Sequence, residues 1–222
     1  MDPVAFARGL IDIDSTTGKE GEAGRWLVRH LHELGFSVAE QRVDADRVNV
    51  IATPSPSSTP LVMFSTHFDC VPPFFPSRVE GDRLYGRGAC DAKGILAAQV
   101  AAALRLRQAG ETRVGMLFVV GEERGSDGAK LANDAAAGAR FLVNGEPTES
   151  KLGAATRGIL RVKLHAEGRA AHSSFPELGE SAIDKLLDTL VELRRLPLPV
   201  DPVDRKSTRL NSSHVSESRM PS

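Results

Sequence analysis

Apolar and polar positions along this chain fall into long blocks that predict strands and helices in turn. Three continuous apolar runs, 61–66, 114–120 and 141–143, are separated by stretches with helical periodicity. Runs of this kind are typical of strands in a parallel sheet that is buried on both faces. The pattern therefore predicts an α/β fold with a mostly parallel central sheet.

Helical spacing and turn residues predict the elements around these strands. Asp2 followed by Pro3 is a typical helix start, and a second helix from Gly21 is expected to end at Gly35. Residues 93–109 are apolar nearly all round, which predicts a buried helix. The remaining predicted elements are a strand pair near the sheet edge, at 37–43 and 47–52, and a helix at 127–137.

The pattern changes at Gly158. From Leu160 to Glu167 apolar residues alternate with charged and polar ones, which predicts a strand with one solvated face, and a helix is expected over 181–195. We therefore expect a first domain over 1–156 and a smaller α+β domain over 157–203. Residues 204–222 have no periodicity and resemble translated vector sequence, so we expect a non-native or disordered tail and a C-terminally truncated chain.

Composition and charge exclude several function classes. Hydrophobic residues make up 41% and charged residues 26%, which is ordinary for a globular protein. The net charge of −1 and the lack of a basic block favour neither nucleic acid nor a membrane as a partner. The N-terminus lacks a secretory signal, which predicts a cytoplasmic protein. Cys70 and Cys90 are expected to be small, partly buried thiols rather than a disulfide or metal ligands.

Acidic and imidazole side chains follow each of the three apolar runs. His67 and Asp69 follow the first run, Glu122 and Glu123 the second, and Glu146 the third. In parallel sheets ligands collect outside the carboxyl ends of the strands. These residues are therefore predicted to converge on a metal site, and the metal site suggests a metallohydrolase.

Both the His67–Asp69 pair and the Glu122–Glu123 pair have a chemical reason to bind a cation. In His67-Phe68-Asp69 the two polar side chains share one side of an extended segment, so one can ligate metal while the other orients the imidazole. The alternative is that His67 and Asp69 are simply polar side chains at the protein surface. Glu122 and Glu123 repel each other at a strand end unless a cation offsets their charges, which suggests one ligand and one general base.

A glycine-rich turn precedes the third helix and contains one more candidate ligand, Asp91. The turn, Gly86-x-Gly88-x-x-Asp91-x-Lys93-Gly94, resembles a phosphate loop only superficially, because an aspartate stands where the dinucleotide fingerprint needs glycine. An aspartate at a helix N-terminus repels phosphate and suits either a helix cap or a cation site. A phosphate-binding enzyme is therefore a weaker hypothesis.

The order of these motifs resembles the zinc-dependent family of aminoacylases, acetylornithine deacetylase, succinyl-diaminopimelate desuccinylase and glutamate carboxypeptidases. The resemblance covers roughly residues 1–200 and includes Gly168-Arg169-Ala170-Ala171-His172-Ser173-Ser174 in the second unit. It implies a three-layer αβα catalytic domain. It also implies an inserted α+β, ferredoxin-like lid domain, through which the family forms homodimers.

The resemblance implies a site with two zinc ions, and carboxylate-rich sites also accept cobalt or manganese. It implies three further roles: Glu122 is the general base, Asp69 orients His67, and His172 stabilises the reacting carbonyl. The implied metal ligands are His67, Asp91 and Glu146 for one ion, with Asp91 bridging to a second ion that Glu123 binds.

One expected ligand has no counterpart in this sequence. The family's last metal ligand is a histidine near the C-terminus, and His214 lies in the suspect tail without the expected context. His30, His32 and His165 are predicted to be structural or solvated. The leading hypothesis is a metal-dependent hydrolase of an N-acyl amino acid or small peptide, and the alternative is an inactive fragment or a non-catalytic binding module.

Overall fold

The computed structural model describes residues 1–134, 138–153 and 162–197. The chain divides into two compact units, Met1–Ala154 and Ala155–Ser222. The predicted tail over 204–222 lies outside the described residues. The assignment of the units to a catalytic and a lid domain stays a prediction.

Among the described residues of the first unit there are four helices and seven strands. The helices are α1 (Pro3–Ile11), α2 (Gly21–Glu33), α3 (Lys93–Gln108) and α4 (Asp127–Asp134). The strands are β1 (Ser37–Arg42), β2 (Val48–Thr53), β3 (Val62–His67), β4 (Arg78–Glu80), β5 (Arg83–Tyr85), β6 (Val114–Val119) and β7 (Phe141–Asn144). The predicted elements of this unit are therefore present, and positions 135–137 of the predicted fourth helix lie outside the described residues.

Five strands form one sheet in the order β1-β2-β6-β3-β7, while β4 and β5 form a separate hairpin. Strand β3 is parallel to both β6 and β7, whereas β2 is antiparallel to β6 and to β1. Four of the five strands therefore run in one direction, which confirms the predicted α/β fold with a mostly parallel sheet. The carboxyl ends of β6, β3 and β7 lie side by side at the same end of the sheet.

Helices cover both faces of this sheet. Alternate strand residues point to opposite faces, and Val50 and Phe118 join Leu96 of α3 in the buried core on one face. On the other face Leu117 lines a cavity together with Ala129 of α4. The first unit thus has the three layers that the family resemblance implied.

The helix starts follow local chemistry. The Asp2 carboxylate accepts the N–H of Val4 at 2.9 Å and Pro3 occupies the first turn of α1, as predicted. Helix α2 is followed by Gly35 in a left-handed conformation, with φ of 79°. Helix α3 is buried on one face only, because Ala98 and Leu106 face solvent. The expectation of a wholly buried α3 was therefore wrong. The helix packs on the sheet through one face, and its opposite face lies in solvent.

The burial predicted for β7 was also wrong. Phe141, Leu142 and Val143 are between 50% and 63% exposed. Strand β7 lies at the edge of the sheet and pairs only with β3 among the described strands. An edge position leaves a strand accessible whatever its hydropathy.

The second unit contains a short helical turn, Pro176–Leu178, and helix α5 (Ala182–Arg195). Ser181 caps α5 by accepting the N–H of Asp184 at 3.1 Å, so the predicted helix is confirmed. Residues 162–168 do not form the predicted strand, and Leu160 lies outside the described residues. Within the described part of this unit the only backbone bridge joins Arg169 to Glu180, so residues 162–168 have no neighbouring strand with which to form a ladder.

No described helix is both long enough and apolar enough to cross a membrane.

Candidate metal centre

Three parallel strands carry the predicted ligands to one edge of the sheet. His67 is the last residue of β3 and lies opposite Val119 of β6 in the register. Gly121, with φ of 70°, turns the chain after β6, and a Cβ there would lie 3.1 Å from the Asp127 carboxylate. This turn places Glu122 beside His67.

Short distances join His67 to three carboxylates from separate parts of the chain. Its Nε2 lies 2.9 Å from Oδ1 of Asp91, 3.8 Å from Oε2 of Glu146 and 3.9 Å from Oε2 of Glu122. His67, Asp91 and Glu123 each offer one ligand atom, and the three atoms lie within 4.8 Å of one another. The structure therefore brings together the side chains that were predicted to converge.

Asp69 holds the other side of the imidazole. Nδ1 of His67 lies 3.1 Å from the backbone carbonyl of Asp69 and 3.3 Å from its Oδ1. Both partners are acceptors, so Nδ1 carries a proton, and Nε2 is the atom that faces the cluster. The buried Asp69 carboxylate also accepts the backbone N–H groups of Glu122 at 3.0 Å and Glu123 at 3.2 Å, and the Thr17 hydroxyl at 2.8 Å.

The Asp91 side chain does not act as a helix cap. Ala92 occupies the cap position of α3 without a side-chain hydrogen bond, while Asp91 contacts His67 instead. The turn itself is held by the Gly88 carbonyl, which accepts the N–H of Lys93 at 2.8 Å. Gly94 allows the helix to start there, because a Cβ would collide with the Ala89 carbonyl.

The electrostatics of the cluster fit a divalent cation. Burial opposes a charged imidazole, but the carboxylates of Asp69 and Glu146 outweigh burial and raise the pKa of His67 to about 11. Burial and the surrounding negative charges raise the pKa of Glu122 and of Glu123. One imidazole nitrogen and several carboxylate oxygens are the ligands that zinc accepts.

Asp69 differs from these glutamates. Burial acts to raise its pKa, but the hydrogen bonds from His67 and Thr17 and from the Glu122 backbone outweigh burial, and the pKa is lowered. Asp69 is therefore held as a carboxylate, which suits a group that orients the imidazole rather than one that exchanges protons.

Lys93 is a residue of this region that sequence reasoning passed over. Its side chain is fully buried, and its ammonium donates to the carbonyls of Leu10 at 3.0 Å and Ile13 at 2.9 Å, at the end of α1. Burial lowers the pKa of Lys93. The sequence could have indicated this role, because Lys93 is a charged residue at the start of a largely apolar helix. Its contacts connect the end of α1 to the start of α3.

His172 belongs to the second unit. It is exposed there, and its Nδ1 accepts the backbone N–H of Ser174 at 3.2 Å. The first unit accounts for His30 structurally, because its ring stacks on Trp26 with centroids 3.7 Å apart. His32 and His165 are exposed, as expected for solvated histidines, and His214 lies outside the described residues.

The two cysteines are free thiols in different surroundings. Cys70 is buried, and burial raises the pKa of its thiol, whereas Cys90 is exposed. The prediction that both thiols are partly buried was wrong, because Cys70 is 1% exposed and Cys90 lies at the surface.

Comparison with known proteins identifies the family. Residues 63–207 match the model of peptidase family M20/M25/M40. A Peptidase M20 domain-containing protein from Schizosaccharomyces pombe is 39% identical over 203 residues, which cover 88% of this chain and 51% of that protein. A protein named Probable carboxypeptidase from Aspergillus terreus is 40% identical over 212 residues, which cover 87% of this chain and 49% of that protein. The chain belongs to the M20 peptidase family.

Solved structures agree on the fold. A tripeptidase from Staphylococcus aureus superimposes with a TM-score of 0.64 at 22% identity, over 85% of this chain and 55% of that one. Aminopeptidase PepT from Bacillus cereus gives 0.59 at 21% identity, over 88% and 56%. The chain spans about half the length of the curated relatives it matches, 51% and 49% for the two named above.

Proposed function

We propose that this chain provides most of a dinuclear zinc centre, and that the protein hydrolyses the amide bond of a small peptide or an N-acyl amino acid. The observation that supports this proposal best is the cluster of His67, Asp91 and Glu123, whose ligand atoms lie within 4.8 Å of one another. M20 membership supports a metal-dependent peptidase, and the relative named as a carboxypeptidase supports a peptide substrate.

The ligands are proposed as His67, Asp91 and Glu146 for one ion and Asp91 with Glu123 for the other. The Nε2 atom of His67 faces both Asp91 and Glu146, at 2.9 and 3.8 Å. A bound zinc ion acidifies water and polarises a carbonyl, which is the chemistry that amide hydrolysis needs. Cobalt or manganese is compatible with the same oxygen-rich ligand set.

Glu122 is proposed as the general base. Its carboxylate lies 3.9 Å from Nε2 of His67 and lines the cavity of about 510 Å³ beside the cluster. Burial and the neighbouring carboxylates raise its pKa in the metal-free site, and glutamate is one of the side chains that act as general bases. Glu122 takes a proton from the attacking water and returns it to the leaving amine.

Asp69 and His172 complete the proposed machinery. Asp69 fixes the imidazole of His67 from the buried side, which keeps Nε2 directed at the cluster. His172 is proposed to donate a hydrogen bond to the oxyanion that forms from the substrate carbonyl, as the family resemblance implies.

Two further parts of the proposal concern the surroundings of the protein. A homodimer through the second unit would cover the apolar stripe of α5, where Ile183, Leu187 and Val191 are between 45% and 71% exposed.

The free thiols Cys70 and Cys90 fit a reducing compartment such as the cytoplasm.

Metal titration of the purified chain tests the site. We expect His67→Ala to weaken zinc binding by at least about a hundredfold, since a buried ligand is removed. His32→Ala, an exposed histidine on α2, is the matched control and should bind zinc as the unchanged chain does. Equal zinc binding by the His67→Ala variant and the unchanged chain would refute the assignment.

Turnover tests the reaction. In a form of the protein that hydrolyses peptides or N-acetyl amino acids, Glu122→Gln should lower kcat by about 10²–10⁴-fold while the zinc content stays the same. Retained turnover would contradict the role of Glu122 as the base. Zinc binding without any hydrolysis by the chain itself would favour the alternative of a non-catalytic, metal-binding module.

A further inference from the structure

The Asp69 carboxylate receives a hydrogen bond from a part of the chain far from the strand ends. The Thr17 hydroxyl donates to Oδ2 of Asp69 at 2.8 Å. The same carboxylate accepts the backbone N–H groups of Glu122, on Oδ1 at 3.0 Å, and of Glu123, on Oδ2 at 3.2 Å. Asp69 therefore links the imidazole of His67 to the turn that carries both glutamates, and Thr17 is its side-chain hydroxyl donor.

The backbone around Thr17 is fixed against the segment that carries Asp69. The N–H of Cys70 donates to the Ser15 carbonyl at 3.0 Å, and the N–H of Thr17 donates to the Cys70 carbonyl at 3.1 Å. The Ser15 hydroxyl donates to the Phe68 carbonyl at 2.5 Å. These bonds on both sides of Asp69 hold the Thr17 backbone beside it, so the Thr17 hydroxyl lies within reach of the Asp69 carboxylate.

A buried ion pair holds the other end of the loop that contains Thr17, the loop between α1 and α2. The Glu20 carboxylate is fully buried, accepts the N–H of Gly18 at 2.6 Å and lies 3.3 Å from Nη1 of Arg47. Arg47 in turn contacts Asp127 at the start of α4 at 2.8 Å. The loop is thus held at Thr17 from both directions, so its hydroxyl is a fixed donor rather than a surface group that happens to be near.

We propose that Thr17 is a positioning residue of the metal centre, acting through Asp69. This inference rests on the proposed function. A buried carboxylate that loses a donor is left with part of its charge unpaired, and this costs free energy that a shift toward the remaining donors reduces. Without the Thr17 hydroxyl, Asp69 would turn away from its present orientation and loosen both Nδ1 of His67 and the backbone of Glu122 and Glu123.

The test compares zinc affinity in variants of the full chain. Thr17→Val removes the hydroxyl at nearly constant volume and should weaken zinc binding about 10–100-fold, the usual effect of losing a group that orients a ligand. Thr17→Ser keeps a hydroxyl and should bind zinc within about threefold of the unchanged chain, a much smaller effect than the loss of an orienting group. Thr16→Val is the matched control, because the Thr16 hydroxyl donates to Asp14 at 2.6 Å instead of to Asp69.

The visible spectrum of the cobalt-loaded chain gives a second readout. A change in ligand arrangement alters the cobalt absorption bands, so Thr17→Val should change them whereas Thr16→Val should not. A purely structural role for Thr17 would leave the spectrum of the loaded protein unchanged. If Thr17→Val does not fold, Thr17→Ser must bind zinc at least about tenfold more tightly than Thr17→Ala, by the same reasoning.

Two results would overturn the inference. One is zinc affinity in Thr17→Val equal to that of the unchanged chain, and the other is an equal loss in Thr17→Val and Thr16→Val. The His67→Ala variant separates this outcome from failure of the proposed function. If His67→Ala loses zinc and Thr17→Val keeps it, only the role of Thr17 fails, whereas unchanged zinc binding in His67→Ala removes the site and the inference together.

Discussion

Helices α1 and α5 start in the same way but lie in different surroundings. Each is capped by an oxygen side chain, Asp2 in the first unit and Ser181 in the second. The apolar face of α1 is buried in the core of the first unit, whereas no described residue of α5 is buried. A cap and an amphipathic pattern favour a helix at both places, but burial of its apolar face requires a neighbouring element.

The same contrast separates the two histidines of the proposed mechanism. His67 is 1% exposed and is held by Asp69 on one ring nitrogen and faced by Asp91 on the other. His172 is exposed within the second unit and accepts one backbone N–H, from Ser174. The proposed ligand of the first unit therefore has an orientation that many contacts fix, and such preorganisation is what a metal site needs.

The largest effect expected from this contrast is on stability. Leu96→Ala in α3, where the side chain is 0% exposed, should lower the free energy of unfolding by about 2–5 kcal/mol. Leu187→Ala in α5, where the side chain is 53% exposed, should cost less than about 0.5 kcal/mol at protein concentrations below those at which the proposed homodimer forms. Urea unfolding followed by circular dichroism measures both. An equal cost at Leu187 would show that a partner covers the stripe of α5.

Zinc should stabilise the first unit, which contains the proposed ligands. At a free zinc concentration of about 100 times Kd, binding should raise the free energy of unfolding by about 2.7 kcal/mol, and a chelator should remove the gain. The single tryptophan, Trp26 in α2, reports this transition by fluorescence. An unfolding transition that zinc leaves unchanged would contradict the proposed site.

The smallest expected effect concerns the two helix caps. Asp2→Ala and Ser181→Ala should each cost about 1 kcal/mol, because each removes an acceptor for an N–H of the first turn. Asp2→Ala should shift the urea midpoint of Trp26 fluorescence, since Phe6 of α1 packs on Trp26 with ring centroids 4.9 Å apart. Ser181→Ala should instead speed amide exchange in α5. An unchanged exchange rate in α5 would contradict the role of Ser181 as its cap.

Local signals in the sequence determined the elements and the residues that approach one another. Helix starts at Asp2 and Ser181 depend on a few neighbouring residues, so they were predicted correctly. The meeting of His67, Glu122 and Glu146 followed from one property of parallel sheets, that carboxyl ends share an edge.

Tertiary structure decided what each side chain contacts. The apolar run 141–143 is exposed because β7 lies at the edge, and 162–168 form no strand because no described strand of their unit lies beside them. Asp91 contacts His67 instead of capping α3, and Thr17 reaches Asp69 across 52 positions of sequence. Hydropathy and propensity describe a residue and its close neighbours, whereas burial, ladder pairing and hydrogen bonds between distant residues exist only once the chain has folded.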